Sequence, residues 1–246
     1  MIIDAHVHLS IEKDCSILCR KRKKLLVGIK LYTEHEAFYL SDERFEKCSK
    51  KGRLIFEKIG YENILLDIFR NAGIKISSDT GIEDAIFEYE PNPSEKTNFD
   101  FYIVLTNGRK ISMEIKYTET EFGGISPDEK ESDKYHKKWK NIYQAMVMEN
   151  PYIQCNEDAF YTNYQINRNI AYAKEGDSVI FLTPKANNAQ GMEKGRKYID
   201  NLKNCNICNL YWEESVEALL EMVKNLPELH DYYMKFYNKY IHILTV

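Results

Sequence analysis

The stretch NFDFYIVLTNGRKISMEIKYTETEFGG, Asn98 to Gly124, constrains the fold more than any other part of the chain. Two apolar runs flank Thr106-Asn107-Gly108, so the segment reads as a β-hairpin. Inside those runs stand Asp100, Glu114 and Lys116, charges that half-buried strands carry only at a cost. Alternation puts Glu114 and Lys116 on one face, with Met113, Ile115 and Tyr117 on the other. The loop length decides which face Asp100 joins. A two-residue Asn107-Gly108 turn would set Asp100 across from Ile115, on the wrong face. A three-residue loop, with Gly108 in the left-handed position of a bulge, sets Leu105 against Arg109 and Asp100 against Glu114. The second connection is the one expected.

That loop gathers two carboxylates and an ammonium group on one face. The carboxylates repel and raise each other's pKa unless a cation intervenes. A hard divalent ion such as Mg²⁺, which takes oxygen ligands and keeps several waters, resolves the conflict. It can bind a phosphate, lower the pKa of a bound water and stabilise a departing oxygen. Lys116 beside it would orient or activate the attacking water, or neutralise charge developing at phosphorus. These groups suit phosphodiester hydrolysis.

Around the hairpin the chain reads as α/β. Apolar spacing from Ser41 to Ala72 is helical, ending at Asn71-Ala72-Gly73. Ile74–Ser77 and Ala85–Tyr89 read as short strands, and 123–133 as a polar loop. Helices are expected over Lys134–Met148 and Asp158–Ala173. SVIFLTP and NICNLYW are continuous apolar runs of the kind buried on both faces of a sheet. Helices return from Glu213, interrupted at Pro227. The expected architecture is a mixed central sheet flanked by helices in α-β-β-β-α-β order. We expect a single domain, with its core at residues 54–212, an N-terminal extension over 1–53 and a C-terminal helical segment over 213–246.

A net charge of −4 gives no global attraction to nucleic acid, so any such contact needs a local patch. Arg20–Lys24 and KYHKKWKNIY (Lys134–Tyr143) are the candidates for phosphate contact, which would make binding salt-dependent. The 18 tyrosines are expected to pack the core with their hydroxyls wet rather than to stack on bases. Six cysteines without a regular framework, Cys205-x-x-Cys208 and Cys15-x-x-x-Cys19 among them, read as buried free thiols rather than an oxidised scaffold or a zinc site. With no signal-like start and no run of membrane-spanning length, a cytoplasmic setting without membrane contact is expected.

Asp100, thirteen intervening residues and then Glu114-Ile115-Lys116 resemble the signature of the PD-(D/E)XK nuclease superfamily, the restriction-endonuclease-like fold. The resemblance extends to element order over residues 54–212, while Phe99 stands where the nominal Pro would be. It implies a Mg²⁺-dependent (or Mn²⁺-dependent) endonuclease acting on DNA. Asp100, Glu114 and the backbone carbonyl of Ile115 would hold the metal, and Lys116 would be catalytic. By the same analogy Glu62 on the first core helix (Glu57 being the other choice) and Gln165 in NYQINRN would support the site. The wider wording, EIKYTETEFG, YQINRNIAYA and VIFLTPKAN, is similar to a bacterial group of restriction-endonuclease-related proteins. Cleaving both strands of a duplex needs two sites, which a homodimer would supply.

The start of the chain, MIIDAHVHLS, makes a rival claim. Asp4 and His6-x-His8 resemble the first strand of amidohydrolase-type and PHP-type metal hydrolases, where alternate His residues share a metal. That chemistry needs further ligands from later strands of a βα barrel, and His35, His136, His230 and His242 end no expected barrel strand. A third reading keeps the nuclease-like fold as a non-catalytic nucleic-acid-binding module.

Overall fold

The computed structural model describes residues 64–95 and 97–241. Five strands form one sheet: β1 (Ile82–Asn92), β2 (Thr97–Leu105), β3 (Lys110–Ile115), β4 (Ser178–Thr183) and β5 (Ile207–Tyr211). They lie in chain order across the sheet, and the pairs β1–β2 and β2–β3 are antiparallel. The β3–β4 and β4–β5 pairs are parallel, so helices must carry the crossovers. The sheet is therefore mixed and open. The βα barrel of the rival reading is not the fold of the described residues, and His6 and His8 lie outside them.

Before the sheet comes α1 (Ile64–Asn71). Between β3 and β4 lie α2 (Pro127–Lys130), α3 (Asp133–Lys138), α4 (Gln144–Glu149), α5 (Glu157–Thr162) and α6 (Tyr164–Ala171). Between β4 and β5 is α7 (Gln190–Asn201), and after β5 come α8 (Trp212–Met222) and α9 (Pro227–Phe236). The order α-β-β-β-α-β is thus the expected one, with additions.

Strand alternation divides the core. Phe101, Ile103 and Leu105 of β2, Met113 and Ile115 of β3, and Leu182 of β4 are buried against α1, α8 and α9. On the other face Val179 and Phe181 of β4 meet Phe160, Ile166, Ile170 and Met192 from α5, α6 and α7. All six residues of β4 are buried, which is why SVIFLT carries no polar alternation.

Several expectations needed correction. Ile74–Ser77 is not a strand, because Arg70 takes its carbonyls: Nε bonds Ile76 O at 3.1 Å and Nη2 bonds Ser77 O at 2.8 Å. Ile74 and Ile76 enter the core from an irregular segment instead. The expected helix 158–173 is two helices broken at Asn163 (φ −124°, ψ 52°). Asn167 explains how the break is tolerated: its amide donates to Ala159 O and Phe160 O, which the break strips of helical partners. The helix expected over 134–148 runs through a π-helical turn, Trp139–Tyr143, that buries both of those aromatic residues. Within the polar loop, α2 is closed by a capping box between Ser126 and Glu129. The helix α7 had no counterpart in the sequence reading. Of the cysteines, Cys155 and Cys208 are half-buried free thiols, but Cys205 is an exposed one.

The β1–β2 turn is fastened to the helical layer by Glu95, whose side chain is fully buried. It accepts hydrogen bonds from the hydroxyls of Tyr143 and Tyr172, and Lys138 Nζ lies 3.3 Å away. This anchor sits five residues before Asp100 and ties the start of β2 to the layer that carries α6.

Candidate active site

Gly108 occupies the left-handed region at φ +80°, and its N–H donates to Leu105 O at 2.8 Å. Leu105 N in turn donates to Arg109 O at 2.9 Å, closing a three-residue loop. The ladder then pairs Val104 with Lys110, Ile103 with Ile111 and Phe101 with Met113. One further step sets Asp100 opposite Glu114. The carboxyl of Asp100 leans across to accept the Ile115 N–H at 2.6 Å.

Glu114 is 3% exposed, and three donors among the described residues meet its carboxylate. Lys116 Nζ lies 2.8 Å from Oε1, and Gln165 Nε2 donates to the same oxygen. Asn169 Nδ2 donates to Oε2 at 2.7 Å. Gln165 and Asn169 stand one helical turn apart on α6, so one face of that helix presents both amides to the carboxylate. Gln165 belonged to the sequence reading, but Asn169 was missed. The signal was there in Gln165-x-x-x-Asn169, an i, i+4 pair of amides opposite a buried acid.

Asp100 is less well served. Burial, and next the Glu114 carboxylate, push its pKa up to about 8, against the opposing pull of the Ile115 N–H and Lys116. Glu88, on β1, adds a smaller push in the same direction. Nearby, Glu119 accepts the N–H groups of Tyr117 and Thr118 at 2.7 and 3.0 Å. Those bonds, with Lys116, hold its carboxyl below the usual range despite partial burial.

The donor set fits a hard divalent ion that keeps several waters, since such ions are commonly held by one or two carboxylates. Counting about four acceptor positions per carboxylate, among the described residues Asp100 accepts one hydrogen bond, from Ile115 N–H, and Glu114 meets three donors. The Ile115 carbonyl lies between Glu114 and Lys116 in sequence. Among the described residues no cluster of three or more His, Cys, Asp or Glu could hold a metal, so a third acidic ligand is not supplied there. Glu62 and Glu57 lie outside the described residues, as do Asp4, Cys15, Cys19, His35, His242 and the basic run Arg20–Lys24.

Gly123 closes the wall behind Gln165. It sits at φ +85°, and a Cβ there would come 2.8 Å from Gln165 Oε1. Gly108 has the same backbone constraint but open space around it. Gly123→Ala is therefore expected to cost about 1–2 kcal/mol of stability from backbone strain and to displace the Gln165 amide from Glu114. Gly108→Ala should show the strain alone. Chemical denaturation and crystallography of the two variants check this, and an undisturbed Gln165–Glu114 bond in Gly123→Ala would refute it.

A family model described as Restriction Endonuclease associating with ARP matches residues 55–241, about three quarters of the chain. The chain belongs to this family. Membership in the REase-ARP family and the five-stranded mixed sheet agree on a restriction-endonuclease-like α/β fold. A nuclease-like role follows at the level of the family. No curated protein and no solved structure matches the chain. Among the described residues, no helix is long and apolar enough to cross a membrane.

Proposed function

We propose that the chain is a metal-dependent nuclease that hydrolyses phosphodiester bonds in DNA through a PD-(D/E)XK site. The observation that carries this reading is the hairpin register, which sets Asp100 opposite Glu114 with Lys116 on the same face. In this proposal Asp100, Glu114 and the Ile115 carbonyl hold Mg²⁺ or Mn²⁺. That ion, when bound, supplies a Lewis acid for the phosphate and an acidified water.

The protein's own part is positioning and charge. Gln165 and Asn169 fix the Glu114 carboxylate from two directions, so its orientation does not depend on Lys116 alone. Lys116, with its side chain 11% exposed, places its ammonium where it can orient the attacking water and offset charge gathering on phosphate oxygens. Glu62 would support the site from the first core helix. Lys134, Lys137 and Lys140 are exposed on α3 and the π-helical turn, and we assign them to phosphate contacts. Lys138 is not among them, being turned inward to the Tyr164 hydroxyl at 2.7 Å and to Glu95.

We further read the chain as one domain in a cytoplasmic setting. The C-terminal helices share the core of the sheet through Val216, Leu219, Tyr233 and Phe236, which supports that reading. We extend the association with ARP in the family's description to this chain, with a homodimer as the arrangement that would cut both strands.

The test is nicking of supercoiled DNA in Mg²⁺ or Mn²⁺. Activity should vanish with a chelator and fall at least a hundredfold in Glu114→Gln. Metal-independent cleavage, or cleavage that survives the substitution in a clean preparation, refutes the site. DNA binding without any cleavage would favour the non-catalytic module.

A further inference from the structure

The ladder of β3 ends at Ile115, one residue before the lysine on which the proposed chemistry depends. Lys116 could swing freely there, yet both of its backbone groups are occupied. Its N–H donates to Leu182 O on β4 at 2.8 Å. Its C=O accepts the indole N–H of Trp212 at 2.8 Å. Trp212 is 2% exposed and is the first residue of α8, directly after β5. The ring of Tyr117 meets the Trp212 ring edge-on, with centroids 6.4 Å apart. The Tyr117 hydroxyl donates to the backbone carbonyl of Tyr240, near the end of the described chain.

We infer that Trp212 is a positioning residue for Lys116, acting through the Lys116 carbonyl. The functional half of this inference rests on the nuclease reading; the structural half does not. Trp212 lies with the core on one face of the sheet, whereas the Lys116 side chain meets Glu114 on the other. Fixing a peptide at both N–H and C=O fixes the direction of the Cα–Cβ bond, and hence where a long side chain can reach. An indole N–H is a donor only, and when buried it must find an acceptor. The acceptor it has found is the one carbonyl that orients the lysine's own peptide plane. Catalytic groups displaced by about 1 Å lose about a hundredfold in rate, so a hydrogen bond on the far face can govern the chemistry. On this view the C-terminal helical segment is part of the site's scaffold rather than an appendage to it.

The experiment uses the full chain and the variant Trp212→Phe, which keeps an apolar ring against Tyr117 but deletes the N–H. Metal-dependent turnover should fall about ten- to a hundredfold, while Mn²⁺ affinity is unchanged. Combined with Lys116→Ala, Trp212→Phe should add no further loss, because the residue through which it acts is gone. Labelling of Lys116 by a small amine-reactive reagent, mapped by mass spectrometry, should rise severalfold in Trp212→Phe. If that variant does not fold, Tyr117→Phe, which loses the bond to the Tyr240 carbonyl, should raise the labelling in the same direction. Unchanged turnover with unchanged labelling overturns the inference and leaves the nuclease reading standing. An inactive wild-type chain overturns the nuclease reading, and the labelling still decides whether Trp212 holds Lys116. Equal losses from Trp212→Phe with and without Lys116 would assign the tryptophan a merely structural role.

Discussion

Lys116→Met should lower metal-dependent cleavage of DNA about a thousandfold while leaving the fold intact. The methionine keeps most of the side chain's length and apolar stem, so packing changes little. What disappears is the ammonium that sits 2.8 Å from Glu114 Oε1. Positioned proton-transfer groups contribute about 10²- to 10⁴-fold, and donors aimed at developing charge contribute about 10²- to 10³-fold. Lys116 is proposed to do one or both. Glu114 keeps its donors from Gln165 and Asn169 in the variant, so its carboxylate stays hydrogen-bonded, although these neutral amides do not replace the lost positive charge. Breaking a buried ion pair costs stability as well as rate, so the two effects are measured separately. The measurement is a pair: single-turnover cleavage and thermal unfolding of the same samples. A large fall in rate with a shift of only a few degrees supports the role. Undiminished cleavage would remove Lys116 from the mechanism.

The hairpin was legible in the sequence because its loop is a local device. Asn107-Gly108 is compatible with either of two turns, but only one places both acids on one face. Asn107 reinforces that choice, its side-chain oxygen accepting the Arg109 N–H at 3.1 Å. The doubly buried strands β4 and β5 were equally readable from their apolar runs. What failed was set by side-chain-to-backbone bonds that no apolar pattern displays. Nothing local in Ile74–Ser77 shows that Arg70 will claim its carbonyls. Asn163 breaks the helix 158–173 although neither Gly nor Pro is present, and Asn167 makes the break affordable. The helix α7, GMEKGRKYID in its middle, is interrupted by two glycines and largely polar, so its periodicity is weak.

For the site, the residues on β2 and β3 followed from parity and the resemblance together. Asn169 did not, because a neutral amide on a helix has no signature until the acid it faces is known. The pinning of Lys116 by Trp212 spans ninety-six residues, and Glu95 reaches Tyr172 across seventy-seven. Such contacts are products of the assembled sheet. They explain why a loose motif on one hairpin acquires definite geometry only when the two helical layers close over it.

Asp100→Asn should stabilise the metal-free protein at alkaline pH and leave it unchanged near pH 4. The folded pKa of Asp100 is raised, to about 8 from an ordinary 3.8. Between those values the unfolded chain has released the proton and the folded chain retains it. The folded state then binds more protons, so stability falls as pH rises through this window and levels off above about 8. Asparagine has no proton to lose, and its side-chain oxygen can still accept the Ile115 N–H. The variant should therefore gain on the order of 2–5 kcal/mol over the wild type by pH 8.5. Mg²⁺ or Mn²⁺ should act oppositely on the two proteins. An ion that binds the ionised Asp100 relieves its burial and its repulsion from Glu114, so the rise in Tm on adding metal should grow from pH 6 to pH 8 in the wild type. In Asp100→Asn that rise should be small at every pH, and cleavage should be lost. Parallel stability–pH curves for the two proteins would sink this account of Asp100. The gain in stability on losing a ligand is what a carboxyl kept for a cation, rather than for the fold, should show.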